Sequence, residues 1–200
     1  NVTIARDWNW IGYNCGGSAN LNIAFADLSP SEGDMVKSQS QFSIYTGGEW
    51  VGTLAMLSPG MGYCYLSKAN TTKTFHYPAV SNLNAMRAPA RQSSSYINSD
   101  YEGNMSMVIQ VKDGDEVLEG AMVAVYSEDE LRGVSEKDIM VAQGDDAVAT
   151  HFLTVFGRGS GDQLFFIVTY DEKDYIIPTD ELYRNDAVVG SMESPFVLDL

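Results

Sequence analysis

Residues 8–13 (WNWIGY) show the clearest alternation of apolar and polar positions near the start of the chain. Neighbouring side chains of a β-strand point to opposite faces, so a period of two predicts a strand with two distinct sides. The strand carries Trp8 and Trp10 on one face and Ile11 and Tyr13 on the other.

Turn residues divide the following sequence into short strands. Residues 42–45 (FSIY) and 50–54 (WVGTL) flank a Gly-Gly pair, which is typical of a tight β-hairpin because glycine accepts the positive φ angles of such turns. Further strands are predicted at residues 61–66 (MGYCYL) and 74–77 (TFHY). Only residues 19–26 (ANLNIAFA) have helical spacing in this part, and the segment is short.

The second part of the chain is also rich in strand patterns. Apolar and β-branched residues form four runs, at residues 105–111, 121–126, 150–156 and 163–170. An Asp-Gly turn follows the first run, and an acidic turn leads from the last run into a strand at residues 175–177. Residues 179–182 (TDEL) predict a single capped helical turn. Regularly spaced short strands of this kind indicate a β-sandwich.

A change in composition separates the two parts. Residues 79–99 combine small residues, a proline and a serine run without periodicity, which is the chemistry of a linker. We therefore predict an all-β protein with two β domains. They are an aromatic-rich domain at residues 1–78 and an acidic β-sandwich domain at residues 100–200, joined by the linker at residues 79–99.

The charge of the chain restricts its expected partners. The chain has a net charge of −15, and residues 100–200 carry twenty-two Asp/Glu against six Lys/Arg. Residues 1–78 carry five Asp/Glu against four Lys/Arg. An acidic surface repels a phosphate backbone, so nucleic acid is not an expected partner. No run approaches the ~20 apolar residues of a spanning helix, so no membrane-spanning segment is expected.

Five short motifs follow one another in the first part: residues 8–11 (WNWI), 33–39 (GDMVKSQ), 42–45 (FSIY), 50–54 (WVGTL) and 57–63 (LSPGMGY). In this order they resemble a β-rich module of large exported proteins of Bacteroidetes. Those proteins often carry a following segment similar to residues 123–133 and 152–157. The motifs consist of turn glycines and aromatic residues and contain no catalytic group. The resemblance therefore implies an extracellular or cell-surface location and a modular context, and it implies no particular activity.

Side chains that usually carry catalysis are few. His76 and His151 are the only histidines, each in a strand-like run, and neither has a nucleophile predicted beside it. The loop at residues 157–162 (GRGSGD) precedes a strand, whereas a phosphate-binding loop precedes a helix, so a flexible hairpin loop explains it better. We expect no enzyme activity and no cofactor. Acidic residues are so abundant that a carboxylate pair for glycoside hydrolysis is not identifiable from the sequence.

Two groups of acidic residues are candidates for metal binding. Asp113, Asp115 and Glu116, or Asp145 and Asp146, carry the oxygen ligands that calcium prefers. These short groups supply fewer than the roughly 6–8 ligands that calcium takes, and they do not follow the EF-hand pattern. Solvated turns explain them better, and no metal site is assigned.

Cys15 and Cys64 are the only cysteines. They can form a disulfide in an oxidising compartment or pack as two small apolar side chains, and the sequence does not reveal the ~5.5 Å Cα separation that a bridge requires. The first domain is rich in aromatic residues that can form a core, so it does not depend on disulfides for stability. We therefore favour two unbridged thiols.

These observations favour a non-catalytic structural or adhesive module of an exported multi-domain surface protein, with a glycan or another surface protein as its partner. One alternative is a carbohydrate-binding module. Another is an accessory domain of a glycan-degrading enzyme. The candidate ligand-binding residues are Trp8, Trp10, Glu49 and Trp50.

Trp50 is the first choice among these candidates because it follows a two-glycine turn, where side chains are often exposed. Glu49 beside it can accept hydrogen bonds from sugar hydroxyls while the indole ring stacks on the sugar. The competing explanation is that Trp50 folds back onto Tyr63 and Leu54 and completes the core.

Overall fold

The computed structural model describes residues 1–78, 101–144 and 146–200, and almost all of their regular structure is β-strand. The prediction of an all-β fold is confirmed. The chain divides into two units, Asn1–Ser93 (unit 1) and Ser94–Leu200 (unit 2). The linker predicted at residues 79–99 lies outside the described residues, so its prediction is untested.

Unit 1 consists of short strands and one helical turn. In chain order these are β1 (Val2–Ile4), β2 (Asp7–Tyr13), β3 (Ala19–Asn20), α1 (Leu21–Ala24), β4 (Met35–Lys37), β5 (Phe42–Thr46), β6 (Glu49–Gly52), β7 (Met56–Leu57), β8 (Met61–Ser67) and β9 (Lys73–Phe75). Strands β2, β8, β4, β5 and β6 form, in that order, an antiparallel five-stranded sheet. Two antiparallel pairs, β1–β9 and β3–β7, form separate small sheets.

The hairpin predicted around the Gly-Gly pair is present. Thr46 and Glu49 are paired across β5 and β6, so Gly47 and Gly48 alone form the loop, with φ angles of 60° and 89°. Glycine adopts positive φ at little steric cost, and two successive positive angles give a turn that matches the twist of the strands.

The helical spacing of residues 19–26 produces the short helix α1. The side chain of Asn20 accepts a hydrogen bond from Ile23 N at 2.9 Å and so caps the first turn. Leu21 and Ala24 are buried, as is Phe25 immediately after the helix, and all three join the core of unit 1.

A buried carboxylate fastens the loop that precedes β4. Asp34 is 1% exposed and accepts hydrogen bonds from Tyr65 Oη at 2.7 Å and from Lys68 N at 2.6 Å. Ser31 N donates a further bond at 2.8 Å. Burial and then the bond to Asp34 raise the pKa of Tyr65 well above its usual value. Because several donors satisfy this carboxylate, its burial is explained by the fold.

Unit 2 is built mainly from longer strands. They are β10 (Gly103–Asp113), β11 (Glu116–Val117), β12 (Met122–Ser127), β13 (Glu130–Ser135), β14 (Ile139–Gln143), β15 (Asp146–Gly157), β16 (Gln163–Tyr170), β17 (Lys173–Leu182), β18 (Val188–Val189) and β19 (Phe196–Asp199). One sheet has the order β11-β10-β15-β14, and β18 and β19 pair with β10 in parallel. The other sheet has the order β13-β12-β16-β17 and is antiparallel.

Both sheets of unit 2 contribute to one core. Met107 and Leu153 come from the first sheet, and Val125, Phe166 and Val168 come from the second; all five side chains belong to the same buried cluster. A core shared by two sheets is the layered arrangement expected of β-rich domains. The finer assignment of a β-sandwich stays a prediction.

Two local predictions for unit 2 are wrong. Residues 179–182 do not form a helical turn, because β17 continues to Leu182, which pairs with Gln163 of β16. The loop at residues 157–162 does not join a hairpin either, because β15 and β16 belong to different sheets. Hydrogen bonds from Gly161 N to Tyr183 O and from Tyr183 N to Asp162 O hold this loop against the end of β17. Long-range pairing overrides the local turn chemistry in both places.

Candidate functional site

Trp50 packs with the core of unit 1. Its ring centroid lies 5.4 Å from the rings of Phe25 and Tyr45 and 5.9 Å from the ring of Tyr65. Tilted and edge-on contacts of this kind contribute about 0.5–1.5 kcal/mol each beyond the burial itself. The indole therefore turns to the core, as the competing explanation proposed, and packs against the buried cluster that includes Tyr63 and Leu54.

Glu49 does not share a surface with that indole ring. Its side chain is exposed at the hairpin, whereas the Nε1 atom of Trp50 is buried and has no hydrogen-bond partner among the residues that the structure describes. Consecutive residues of a strand point to opposite faces, so a sugar held by Glu49 would lie on the other side of the sheet from the indole of Trp50.

Trp8 and Trp10 lie on the other face of the five-stranded sheet, as the alternation in β2 predicts. Ile11 is buried with the core, whereas Trp10 is 87% exposed. Trp8 is half-buried, and the ammonium group of Lys37 lies 4.8 Å from the centroid of its ring. The structure thus places the predicted ligand residues on two faces of one sheet, and Trp10 presents the most accessible ring among them.

A second candidate surface lies in unit 2 and was not predicted. The four-stranded sheet is apolar on both faces. Two rows of paired residues cross its outer face from β13 to β17. We call these eight residues the apolar outer face: Val134, Ala124, Ile167 and Ile176 in one row, and Leu131, Tyr126, Phe165 and Pro178 in the other.

The apolar outer face is partly accessible to solvent. Ile176 is 71% exposed, and most of the other members are half-buried. The rings of Tyr126 and Phe165 are stacked, with centroids 5.5 Å apart and planes at 17°. The signal in the sequence is the nearly continuous apolar character of residues 121–126 and 163–170, since a strand with one solvent face alternates instead.

Charged side chains cluster around Tyr101 at the start of unit 2. The guanidinium groups of Arg132 and Arg158 lie 4.7 Å and 5.1 Å from the centroid of its ring. Glu130 accepts a hydrogen bond from Tyr101 Oη at 2.9 Å and lies 3.3 Å from Arg132, which also pairs with Asp162 at 3.1 Å. The carboxylates offset the arginine charges, so the cluster fastens Tyr101 and is not arranged to hold an anion.

The two histidines are engaged in different ways. His76 Nδ1 lies 3.5 Å from Asp27 at the surface, and His76 N donates to the same carboxylate. His151 is 1% exposed, and its Nδ1 lies 3.0 Å from Ser135 Oγ. Burial lowers the pKa of His151 to about 4. Because Ser135 Oγ donates its hydrogen to Lys137 O, this buried pair is not arranged as a nucleophile activated by a base.

Among the described residues, the cysteines, the acidic groups and the single helix add no further site. Cys15 and Cys64 are not joined by a disulfide, which agrees with the favoured prediction. Within residues 1–78, 101–144 and 146–200, no three His, Cys, Asp or Glu side chains are grouped to hold a metal ion. Asp145, one of the acids considered for calcium, lies outside these ranges. No helix in the described part is long and apolar enough to cross a membrane.

Comparison with known proteins identifies no relative. No family model, no curated protein and no solved structure matches the chain.

Proposed function

We propose that this chain is a non-catalytic docking module of a larger exported surface protein, and that it holds its partner through the apolar outer face of unit 2. The observation that carries this proposal is the apolar character of the four-stranded sheet on both sides. One side supplies the core of unit 2. The other side exposes Ile176 and stacked aromatic rings, and contiguous exposed apolar surface is typical of interaction sites.

Charge indicates the chemistry of the partner. Asp174 and Asp180 are exposed in β17 and, by strand alternation, lie on the same face as Ile176. Residues 100–200 carry twenty-two acidic and six basic side chains. Complementary charges favour encounter and set specificity, so the partner surface should be apolar with Lys or Arg at its rim.

A second copy of the same chain is a poor occupant of this surface. Like charges would face each other at Asp174 and Asp180 in a symmetric contact. Strand β17 is also the edge of its sheet, and it contains Pro178. Proline and charge on an edge strand oppose the addition of another strand, which leaves the face of the sheet as the contact surface.

The exported location rests on the resemblance of the five motifs to modules of Bacteroidetes surface proteins. The absence of catalysis is supported by the engagement of both histidines, one buried beside Ser135 and the other paired with Asp27. A second candidate function is carbohydrate binding in unit 1. The exposed ring of Trp10 favours it, because an indole accessible to solvent can stack on a sugar.

Two short synthetic peptides test the docking proposal, one alternating valine and lysine and the other alternating valine and glutamate. The lysine peptide should bind to the intact chain more tightly. Ile176→Ser should weaken that binding by about tenfold or more, because burying an isoleucine side chain contributes about 1.5–3 kcal/mol.

The matched control is Met140→Ser, which removes a side chain that is 46% exposed in the other sheet of unit 2. This variant should bind the lysine peptide like the unmodified chain. Equal binding by the Ile176→Ser variant would show that attraction is purely electrostatic and would refute the docking surface. Equal affinity for the two peptides would refute the predicted charge of the partner.

A further inference from the structure

Two paired glycines lie at the exposed end of the sheet face that carries Trp8 and Trp10, and the fold does not require them. The structure describes six glycines within strands. At four of them an added Cβ atom would collide with neighbouring backbone or side chains: Gly52, Gly103, Gly133 and Gly157. The other two are Gly12 in β2 and Gly62 in β8, which are partners in the same ladder.

Gly12 and Gly62 have ample space around them. A Cβ atom on Gly62 would have no neighbour within 4 Å, and one on Gly12 would approach only Asn14 Nδ2, at 4.0 Å. Neither residue has a positive φ angle. Glycine weakens a strand because it packs no side chain and loses more conformational freedom on folding. A strand glycine that neither packing nor backbone geometry requires often lies where a ligand approaches the backbone closely.

The glycine pair lies directly beside the exposed tryptophan. Alternation in β2 places Gly12 on the same face as Trp10, and directly paired residues project to the same face of a sheet. The Trp10–Cys64 pair is therefore the next pair on that face. The indole of Trp10 stands next to a floor of bare backbone about 7 Å along the strand and about 5 Å across it. A single sugar ring fits an area of this size.

Polar and charged neighbours narrow the choice of ligand. The exposed amide of Asn14 borders the floor on the side of Gly12. An amide offers two donors and an acceptor, which suits adjacent hydroxyl groups. The ammonium group of Lys37 lies over the ring of Trp8, so that ring is already covered by a cation. The indole of Trp10, the open glycine pair and the uncharged amide of Asn14 suit a neutral sugar better than an anionic one.

We propose that Trp10, the Gly12–Gly62 floor and Asn14 form a subsite for one neutral hexopyranose unit of a glycan. The C–H face of the sugar stacks on the indole, the ring lies over the paired glycines, and Asn14 bonds its hydroxyls. This inference deepens the carbohydrate-binding candidate. It does not depend on the docking surface of unit 2, since that proposal is tested at Ile176 with peptides.

The test uses the indole N–H signals of the ¹⁵N-labelled chain, with Trp10→Phe to assign the signal of Trp10. Neutral gluco-, galacto- and manno-oligosaccharides are titrated in, with sialyllactose as a charged comparison. A neutral saccharide should shift the Trp10 signal and leave that of Trp50 in place. The affinity should be weak, with a Kd on the order of 1 mM, because one ring supplies most of the contact.

The Gly62→Val variant tests the subsite most directly, because the valine side chain would occupy the space above the glycine pair. Binding should fall by at least about tenfold while the melting temperature stays the same or rises, since valine suits a strand better than glycine. Gly159→Val is the matched control, because Gly159 is equally open and lies in unit 2. It should bind the saccharide like the unmodified chain.

Three results would overturn this subsite. One is the absence of any saccharide-induced shift at Trp10. Another is undiminished binding by the Gly62→Val variant, or a large drop in its melting temperature, which would show that the fold needs this glycine. The third is a Trp10 shift caused by a tryptophan-containing peptide but by no saccharide, which would assign the surface to a protein partner.

Discussion

Acidification is expected to destabilise unit 2 through His151. Ser135 Oγ donates its hydrogen to Lys137 O at 3.1 Å, so the imidazole donates to Ser135 from Nδ1 and leaves Nε2 unprotonated. Nε2 is buried and has no hydrogen-bond partner among the described residues. A proton added there would create a buried cation that has no acceptor for its new N–H.

The size of the effect follows from the difference between two pKa values. Burial lowers the pKa of His151 from 6.5 to about 4 in the folded chain, and the carboxylate of Asp138 opposes this only in part. Below pH 6.5 the unfolded chain binds a proton that the folded chain does not bind, so folding stability falls as the pH falls. The loss is about 2 kcal/mol at pH 5 and about 3 kcal/mol at pH 4, where it levels off.

Urea unfolding at a series of pH values measures this loss. All three tryptophans lie in unit 1, so their fluorescence monitors that unit, whereas far-ultraviolet circular dichroism monitors both units. His151→Asn removes the titration and keeps a polar group near Ser135. Relative to this variant, the unmodified chain should lose about 2 kcal/mol between pH 7.5 and pH 5, because His151 is the only ionisable group by which the two proteins differ.

A difference between the two proteins that does not change with pH would refute this reasoning. A histidine titration followed by NMR gives an independent check. If the buried imidazole titrated near pH 6.5 in the folded chain, the inferred cost of its protonation would be wrong.

Four further variants test other parts of the structure by urea unfolding. Trp50→Ala should lower the free energy of unfolding by about 3 kcal/mol, because it leaves a cavity among aromatic rings. Trp10→Ala should change it by less than about 0.5 kcal/mol. Equal losses would contradict the different burial of the two side chains. Asp171 and Glu172 have φ angles of 49° and 60°, which Asn and Gly adopt more readily. Replacing the pair by Asn-Gly should therefore stabilise unit 2 by about 1 kcal/mol. A loss of stability would show that the acidic side chains stabilise the turn. Gly157→Ala should cost about 1–3 kcal/mol because its Cβ atom would lie 2.5 Å from a buried tyrosine ring, and a neutral effect would mean that this ring can move.

Local sequence determined the parts of the fold that depend on neighbouring residues. Alternation in β2 separated Trp8 and Trp10 from the core side of the strand, and the Gly-Gly pair specified the β5–β6 hairpin. Both features act over a few residues, through the two faces of a strand and the φ angles that glycine allows. The all-β class follows from many such local signals.

Contacts between distant segments decided the rest. The sequence named both Trp10 and Trp50 as candidates and favoured Trp50. Only contacts on the core face, with Phe25 just after α1 and with Tyr65 of β8, showed that Trp50 turns inward while Trp10 stays exposed. Residues 179–182 became strand because β16 lies alongside them. The paired glycines and the apolar outer face emerged only when strands distant in sequence were aligned. Whether a side chain is buried depends on what lies across the sheet, and that is a property of the whole fold, which the pattern along one strand does not contain.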